Sequence, residues 1–110
     1  MIKQFVVLRR KESLSQAQFA QYWLEVHAPI AKKMPGLRKY IVSASSPPPG
    51  KDPEYGGVAE LWFDDFNALR SAWTSPEGQA AVKDTENFVS SSVNIYATEH
   101  IVLQEQGDLR

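Results

Sequence analysis

The chain has 110 residues, of which 43% are hydrophobic and 11% aromatic, and its formal net charge is −1. This length and composition predict one folded domain with a modest core and argue against a disordered chain. Because the basic and acidic residues are intermixed, we predict no nucleic-acid or membrane partner. The absence of cysteine excludes disulfides, thiol nucleophiles and thiolate metal sites. No apolar run approaches the roughly 20 residues that span a bilayer, and we expect a cytoplasmic protein.

The first two predicted elements are a strand and a long helix. Residues 2–10 are rich in Val, Ile and Phe and predict the strand. Ser15 and Gln18 have the spacing of a capping box, which indicates where the helix begins. Five apolar side chains then recur at helical spacing and form one stripe: Phe19, Trp23, Val26, Ile30 and Met34. Pro35 and Gly36 end the helix.

The rest of the chain predicts two strands, two helices and a final strand. In chain order these are a strand over 37–45, a Pro/Gly-rich loop over 46–57, a strand over 58–63, helices over 66–73 and 76–89, and a strand over 93–104. Asp64 or Asp65 caps the first of these helices, and Ser75 followed by Pro76 begins the second. We therefore predict a single domain over 1–104, followed by a polar tail over 105–110.

The order β-α-β-β-α-α-β predicts a ferredoxin-like α+β fold, a four-stranded antiparallel sheet with helices on one face. A sheet covered on one side normally alternates apolar and polar residues. Here both faces are apolar, since Phe5 and Val7 alternate with Val6 and Leu8. The helices of one chain cover only one face. We therefore predict a homodimer in which the second faces pack sheet to sheet.

His27, one of two histidines, lies beside a helix breaker in the predicted first helix. On the helical wheel His27 is at one edge of the apolar stripe and Tyr22 at the other. Pro29 has no N–H and crowds the carbonyl of Glu25, so we expect the helix to kink or open next to His27. A cavity beneath such a helix suits a small-molecule site with a titratable group in its wall. The alternative is a half-buried histidine with a local hydrogen bond.

Three stretches of the sequence resemble the EthD family, a branch of the dimeric α/β-barrel superfamily. They are FAQYWLEVHAPIAKKMPGLRKY, AELWFDDFNALRSAWTSPEGQAAVKDTENFV and ATEHIV. The most specific piece is an aromatic-rich helix ending in H-x-P, with PGL-x-x-Y beginning eight residues after the histidine. The resemblance implies a ferredoxin-like protomer, a dimer whose two sheets form a barrel-like core, and a pocket between helices and sheet.

The resemblance implies a role in degradation but leaves the reaction open. The founding member is linked to the degradation of ethyl tert-butyl ether. Relatives include muconolactone methylisomerases and fungal enzymes that act on aromatic polyketides. The wider superfamily also contains cofactor-free monooxygenases, polyketide cyclases and haem proteins. An isomerase, a lyase and a cofactor-free monooxygenase are all compatible with it.

The family motifs also indicate site residues in this sequence. The matched positions are His27 for the helix histidine, Tyr40 for the tyrosine after PGL, Asp84 and Phe88 for the acidic and aromatic pair of the last helix, and Glu60 and Trp62 for E-x-W-F of the third strand. We predict a cofactor-free enzyme in which His27 is the general acid/base and Tyr22 or Tyr40 donates a hydrogen bond to an enolate or phenolate oxygen. Asp84 is the remaining catalytic candidate.

The predicted ligand is a small, hydrophobic cyclic compound, such as an aromatic, polyketide-like or lactone molecule. Its candidate binding residues are Tyr22, Trp23, Glu60, Trp62, Phe88 and His100. Structural roles stay open for several of them. Tryptophans are usually core residues, and Glu60 is costly to bury unless it pairs with a neighbouring cation. His100, on the predicted last strand, faces either the pocket or the dimer interface.

Two other functions stay open at this point. One is a non-catalytic ligand-binding or accessory protein in a catabolic pathway, and the other is a haem-binding member of the superfamily. We predict no metal site, because two distant histidines without clustered carboxylates do not match zinc or iron ligand patterns. Nucleotide cofactors and serine hydrolysis lack their motifs, so no cofactor is predicted.

Overall fold

The computed structural model describes residues 1–105 and contains every predicted element in the predicted order. The elements are β1 (Ile2–Arg10), α1 (Gln16–Tyr22), a π-helical turn (Trp23–His27), α2 (Ala28–Ala31), β2 (Lys39–Ala44), β3 (Gly57–Phe63), α3 (Phe66–Thr74), α4 (Pro76–Thr85) and β4 (Val89–Ala97). Beyond Glu105, the predicted polar tail lies outside the described residues. No helix in the described part of the chain is long and apolar enough to cross a membrane.

The four strands form one antiparallel sheet in the order β2-β3-β1-β4. This confirms the predicted ferredoxin-like α+β fold. The inner face of the sheet carries Leu8, Ala59 and Leu61, which are buried under the helices together with Phe19 and Trp23. Burial of this face holds the helices on the sheet through the hydrophobic effect.

The helix starts depend on the predicted capping residues. The Ser15 and Gln18 side chains form the capping box of α1. Asp65 accepts from the Ala68 N–H and caps α3, whereas Asp64 pairs with Arg38 instead. Ser75 caps α4. Each cap satisfies a backbone N–H that lacks a partner inside its helix.

The predicted bounds of the last helix and strand are wrong. The helix ends at Thr85, and β4 runs over Val89–Ala97 instead of 93–104. The reason is non-local: β4 pairs antiparallel with β1 from Arg10 opposite Val89 to Lys3 opposite Ala97, so β4 ends opposite the beginning of β1. Backbone pairing to β1 therefore outweighs the low strand preference of the serines at 90–92. As a consequence, His100 lies beyond the strand.

The predicted first helix contains a π turn next to Pro29. In this turn the Ala28 N–H donates to the Trp23 carbonyl, five residues back. This confirms the expected opening of the helix beside His27. A π turn inserts one residue and rotates the rest of the helix by about 100° relative to a regular one. As a result Val26, predicted in the apolar stripe, is 41% exposed, while His27, predicted at its edge, is only 7% exposed.

The face of the sheet opposite the helices is also apolar, as predicted. We call it the outer face, and its apolar members are Phe5, Val7, Ile41, Val58, Trp62, Val93 and Ile95. Val93 is 53% exposed and Ile95 50% exposed. The protomer therefore presents a broad hydrophobic surface that none of its own described helices covers.

Candidate functional site

A cavity of about 610 Å³ lies between the helices and the inner face of the sheet. All four strands contribute to its wall, with α2, α3, α4 and the π turn on the other side. Most of the wall is apolar, with side chains such as Val6, Leu61 and Leu69, and a few polar groups converge on it. This size and lining are typical of a small-molecule site.

His27 is a buried part of this wall, and it is tied to the opposite helix. Its Nδ1 atom lies 2.9 Å from Oδ2 of Asp84, which is 57 residues away on α4. The imidazole ring also packs against Phe88, with the ring centroids 4.8 Å apart. The π turn and α4 together therefore fix the orientation of the ring.

The carboxylate of Asp84 has two further donors. Its Oδ1 atom accepts from the Tyr22 hydroxyl at 2.6 Å and from the Asn87 side-chain amide at 3.1 Å. Burial acts to raise the pKa of Asp84, but these hydrogen bonds and the one from His27 outweigh it, and the pKa is lowered. Asp84 is therefore an ionised carboxylate at neutral pH.

The state of His27 depends on that of its partner. Burial lowers the pKa of the imidazole below its ordinary value, although the hydrogen bond to Asp84 opposes the shift. His27 is therefore neutral at pH 7. Because an ionised carboxylate can only accept, the proton of the neutral ring is on Nδ1. Nε2 is left with a free lone pair, as required of a general base.

Two hydrogen-bond donors lie in the same cavity wall. Tyr40, on β2, lines the cavity, and burial raises the pKa of its hydroxyl, which therefore stays protonated. Trp23 is fully buried, and its indole N–H has no hydrogen-bond partner among the described residues. The Trp23 side chain acts to lower the pKa of Tyr40, but burial outweighs it. Trp23 and Tyr40 are therefore donor-bearing side chains of the cavity wall.

The structure brings most of the predicted site residues together. His27, Asp84, Tyr22 and Phe88 form one contact cluster, which we call the His27 cluster. Trp23 packs against Phe88 within 6.4 Å and lines the cavity with Tyr40. The hydroxyl of Tyr22 is engaged by Asp84, so Tyr40 is the tyrosine that remains available to a ligand.

The structure does not bring Glu60, Trp62 or His100 to the cavity. Glu60 and Trp62 lie on the outer face, where Lys3 Nζ is 2.6 Å from Oε1 of Glu60 and 4.5 Å from the Trp62 ring centroid. Glu60 therefore pairs with a neighbouring cation, as expected if its role is structural. His100 is exposed beyond the end of β4.

Some polar residues of the site were missed at the sequence level. Asn87 completes the set of donors to Asp84. Gln4 donates to Asn94 at 2.9 Å and accepts from the Trp73 indole at 2.7 Å, which forms a polar patch in the cavity wall. The one available signal was Gln4 itself, a polar residue on the otherwise apolar inner side of β1. Within residues 1–105, no group of three or more His, Asp or Glu is placed to hold a metal ion.

Comparison with known proteins shows the family to which the chain belongs. The model of the EthD domain matches residues 11–92. The chain belongs to the EthD domain family. It is 28% identical, over 76% of its own length and 81% of the relative's, to an uncharacterized 11.0 kDa protein in the thcB-thcC intergenic region of Rhodococcus erythropolis.

Solved structures share the fold. A crystal structure of an EthD family protein from Bacillus halodurans C-125 is 26% identical, with a TM-score of 0.77, covering 91% of this chain and 99% of that one. A dimeric protein of unknown function from Bacteroides fragilis is 18% identical with a TM-score of 0.67, covering 87% and 93%. SnoaB, a cofactor-independent oxygenase from Streptomyces nogalater, is 16% identical with a TM-score of 0.68, covering 94% and 97%.

The lowered pKa of His27 predicts how stability depends on pH. Because burial makes the folded state bind this proton less readily than the unfolded chain, the free energy of unfolding falls as pH drops below about 6.5. The slope from one group is at most about 1.4 kcal/mol per pH unit. Urea unfolding at a series of pH values measures it. His27→Gln should remove this part of the fall and His100→Gln should retain it; equal slopes in both variants would contradict the assignment.

Proposed function

We propose that this EthD-family protein is a cofactor-free enzyme that moves a proton on a small, flat cyclic compound bearing a carbonyl group. The observation that carries the proposal is the position of His27 in the wall of a largely apolar cavity, hydrogen-bonded to the buried carboxylate of Asp84 behind it. A carboxylate, an imidazole and a substrate site in this order are the arrangement by which enzymes activate a general base.

The proposed reaction begins at Nε2 of His27. Nε2 takes a proton from the carbon next to the substrate carbonyl, and the electron pair of the broken C–H bond moves into the carbonyl to form an enolate. Asp84 stabilises the imidazolium that results. The Tyr40 hydroxyl and the Trp23 indole N–H supply hydrogen bonds to the enolate oxygen. Where a C=C bond adjoins that carbon, the enolate is conjugated, and return of the proton from Nε2 to the far carbon of the C=C bond re-forms the carbonyl and completes an isomerisation in which the double bond shifts by one position.

The cavity supports a compact hydrophobic substrate. Its volume of about 610 Å³ lies within the range of about 300–1,000 Å³ that is usual for small-ligand pockets. Trp23 and Trp73, with Tyr40, give it flat aromatic walls, which favour a flat ring system. Exclusion of water from such a wall strengthens the hydrogen bonds to a developing enolate.

Two related functions differ from this one in a measurable way. The fold is shared with SnoaB, a cofactor-independent oxygenase, which supports a variant in which molecular oxygen attacks the carbanion. Oxygen uptake coupled to substrate loss distinguishes the variant from isomerisation. A non-catalytic binding protein would bind its ligand with an affinity insensitive to the titration of His27. A degradative role and a cytoplasmic location stay predictions.

Deuterium exchange tests the proposed base directly. In D₂O the protein should accelerate exchange at the carbon next to the carbonyl of 2-tetralone, a flat bicyclic ketone, as followed by proton NMR. His27→Gln should reduce the catalysed rate by about 10²–10⁴-fold, the usual contribution of a general base. His100→Gln is the matched control, since His100 is exposed and outside the cavity, and it should keep the full rate. Equal rates in the two variants would refute the role of His27.

We also propose that the protein is a homodimer joined through the outer face. Support comes from the exposed apolar side chains of that face, whose burial would contribute roughly 25 cal/mol per Å². The fold is shared with proteins described as dimeric from Bacteroides fragilis and Thermobifida fusca. The pairing leaves the cavity on the opposite side of the sheet free for substrate.

A charge on the outer face should separate the protomers. Ile95→Glu places a carboxylate in the proposed interface, and sedimentation velocity at micromolar concentration should show a monomer where the unmodified protein is a dimer. Leu24→Glu is the matched control, because Leu24 is 53% exposed but lies on the helical side. It should remain dimeric. An unmodified protein that sediments as a monomer, or an Ile95→Glu variant that stays dimeric, would contradict the proposed interface.

A further inference from the structure

We propose that Arg70 recognises a carboxylate on the substrate and so makes this site selective for anionic cyclic compounds. The inference rests on the proposed function in one respect only, that the cavity is the substrate site. It deepens that function by naming the charge of the substrate and the side chain that binds it.

Arg70 lies on the side of α3 that faces the cavity. Phe66, Leu69 and Trp73 share that side at helical spacing, and all of them line the cavity with Arg70. Arg70 is exposed while His27 is buried, so the guanidinium lies toward the opening and the base lies deeper. A substrate that contacts both side chains is therefore held in a defined direction.

Arg70 differs from the other arginines of the described residues in having no carboxylate partner. Arg9 pairs with Glu54, Arg10 with Asp52 and Arg38 with Asp64, each at 2.9 Å. Arg70 makes no such ion pair within residues 1–105, and no acidic residue of this range lines the cavity. The cavity thus has one permanent positive charge and nothing on its own described wall to neutralise it.

A single guanidinium beside an apolar cavity matches one negative charge on a hydrophobic ligand. Guanidinium binds carboxylate through two parallel hydrogen bonds in one plane, while the apolar walls of the cavity contact the ring of the ligand. A phosphate would carry nearly two charges, and the described cavity wall offers no second permanent cation to match them. We therefore assign the substrate class as cyclic carboxylates with a carbonyl placed to reach His27.

The arrangement predicts a preference between two ligands of nearly equal shape. Isothermal titration calorimetry at pH 7 should show that 2-naphthoate binds at least about tenfold more tightly than 2-naphthamide, since only the naphthoate forms a charged bidentate pair. Arg70→Gln should abolish the preference. Arg70→Lys, which keeps the charge but loses the planar fork, should retain part of it.

Arg38→Gln is the matched control, because Arg38 is exposed like Arg70 but is paired to Asp64 away from the cavity. It should keep the full preference for 2-naphthoate. The proposal is overturned if the naphthamide binds as tightly as the naphthoate, if neither ligand binds at millimolar concentration, or if Arg70→Gln keeps the preference. Circular dichroism of Arg70→Gln verifies that the variant is folded.

The test of Arg70 by ligand preference and the test of proton transfer by deuterium exchange can fail separately. The exchange of 2-tetralone, which has no carboxylate, is measured on the unmodified protein and therefore tests proton transfer independently of Arg70. An unmodified protein that catalyses exchange but does not prefer naphthoate would overturn the role of Arg70 alone. Absence of catalysed exchange with an Arg70-dependent preference for naphthoate would overturn only proton transfer.

Discussion

The hydrogen bond between His27 and Asp84 is the contact on which the candidate site depends. It joins the first helical segment to α4 across 57 residues, and it lies where both helices cover the sheet. Asp84 is a buried charge, and its burial is tolerated because Tyr22, Asn87 and His27 all form hydrogen bonds to its carboxylate. Removing one partner of such a buried pair typically costs about 3–5 kcal/mol, so this contact couples the helix packing to the chemistry of the site.

The π turn makes that contact possible. In a regular helix His27 would lie at the edge of the buried stripe and Val26 inside it, whereas the extra residue of the turn reverses their exposure. Pro29 favours the π turn. In a regular helix the Glu25 carbonyl would accept from the N–H of residue 29, which proline lacks. In the π register each hydrogen bond spans five residues, so the Glu25 carbonyl does not depend on Pro29. The π turn thereby places the His27 ring in the cavity wall, and π turns are frequently found at functional sites.

Much of the fold was predictable because it depends on local chemistry. The capping residues Ser15 and Ser75 mark helix starts, and the alternation of β1 and β3 indicates two apolar faces. The bounds of β4 were not predictable in the same way, since they depend on the length of β1, with which β4 pairs along its whole length. The phase shift at His27 was missed because a helical wheel assumes a regular turn throughout.

The site was predictable only in part, and the reason differs from residue to residue. Family resemblance indicated His27 and Asp84 separately, but only the folded chain brings them into contact. The same resemblance indicated Glu60 and Trp62. These residues alternate with Ala59 and Leu61 along β3, so their side chains lie on the face of the sheet away from the helices. Arg70 belongs to no motif. Its proposed role rests on the absence of acidic side chains from the described cavity wall.

The tautomer of His27 is the property that tests this account most directly. Two-bond ¹H–¹⁵N NMR correlation of the imidazole at pH 7, assigned with His100→Gln, reports which ring nitrogen carries the proton. A neutral ring protonated at Nδ1, with Nε2 unprotonated, is expected, and Asp84→Asn should weaken this preference. A ring that is protonated at Nε2, or charged at both nitrogens, would contradict the assignment of His27 as a base held ready by Asp84.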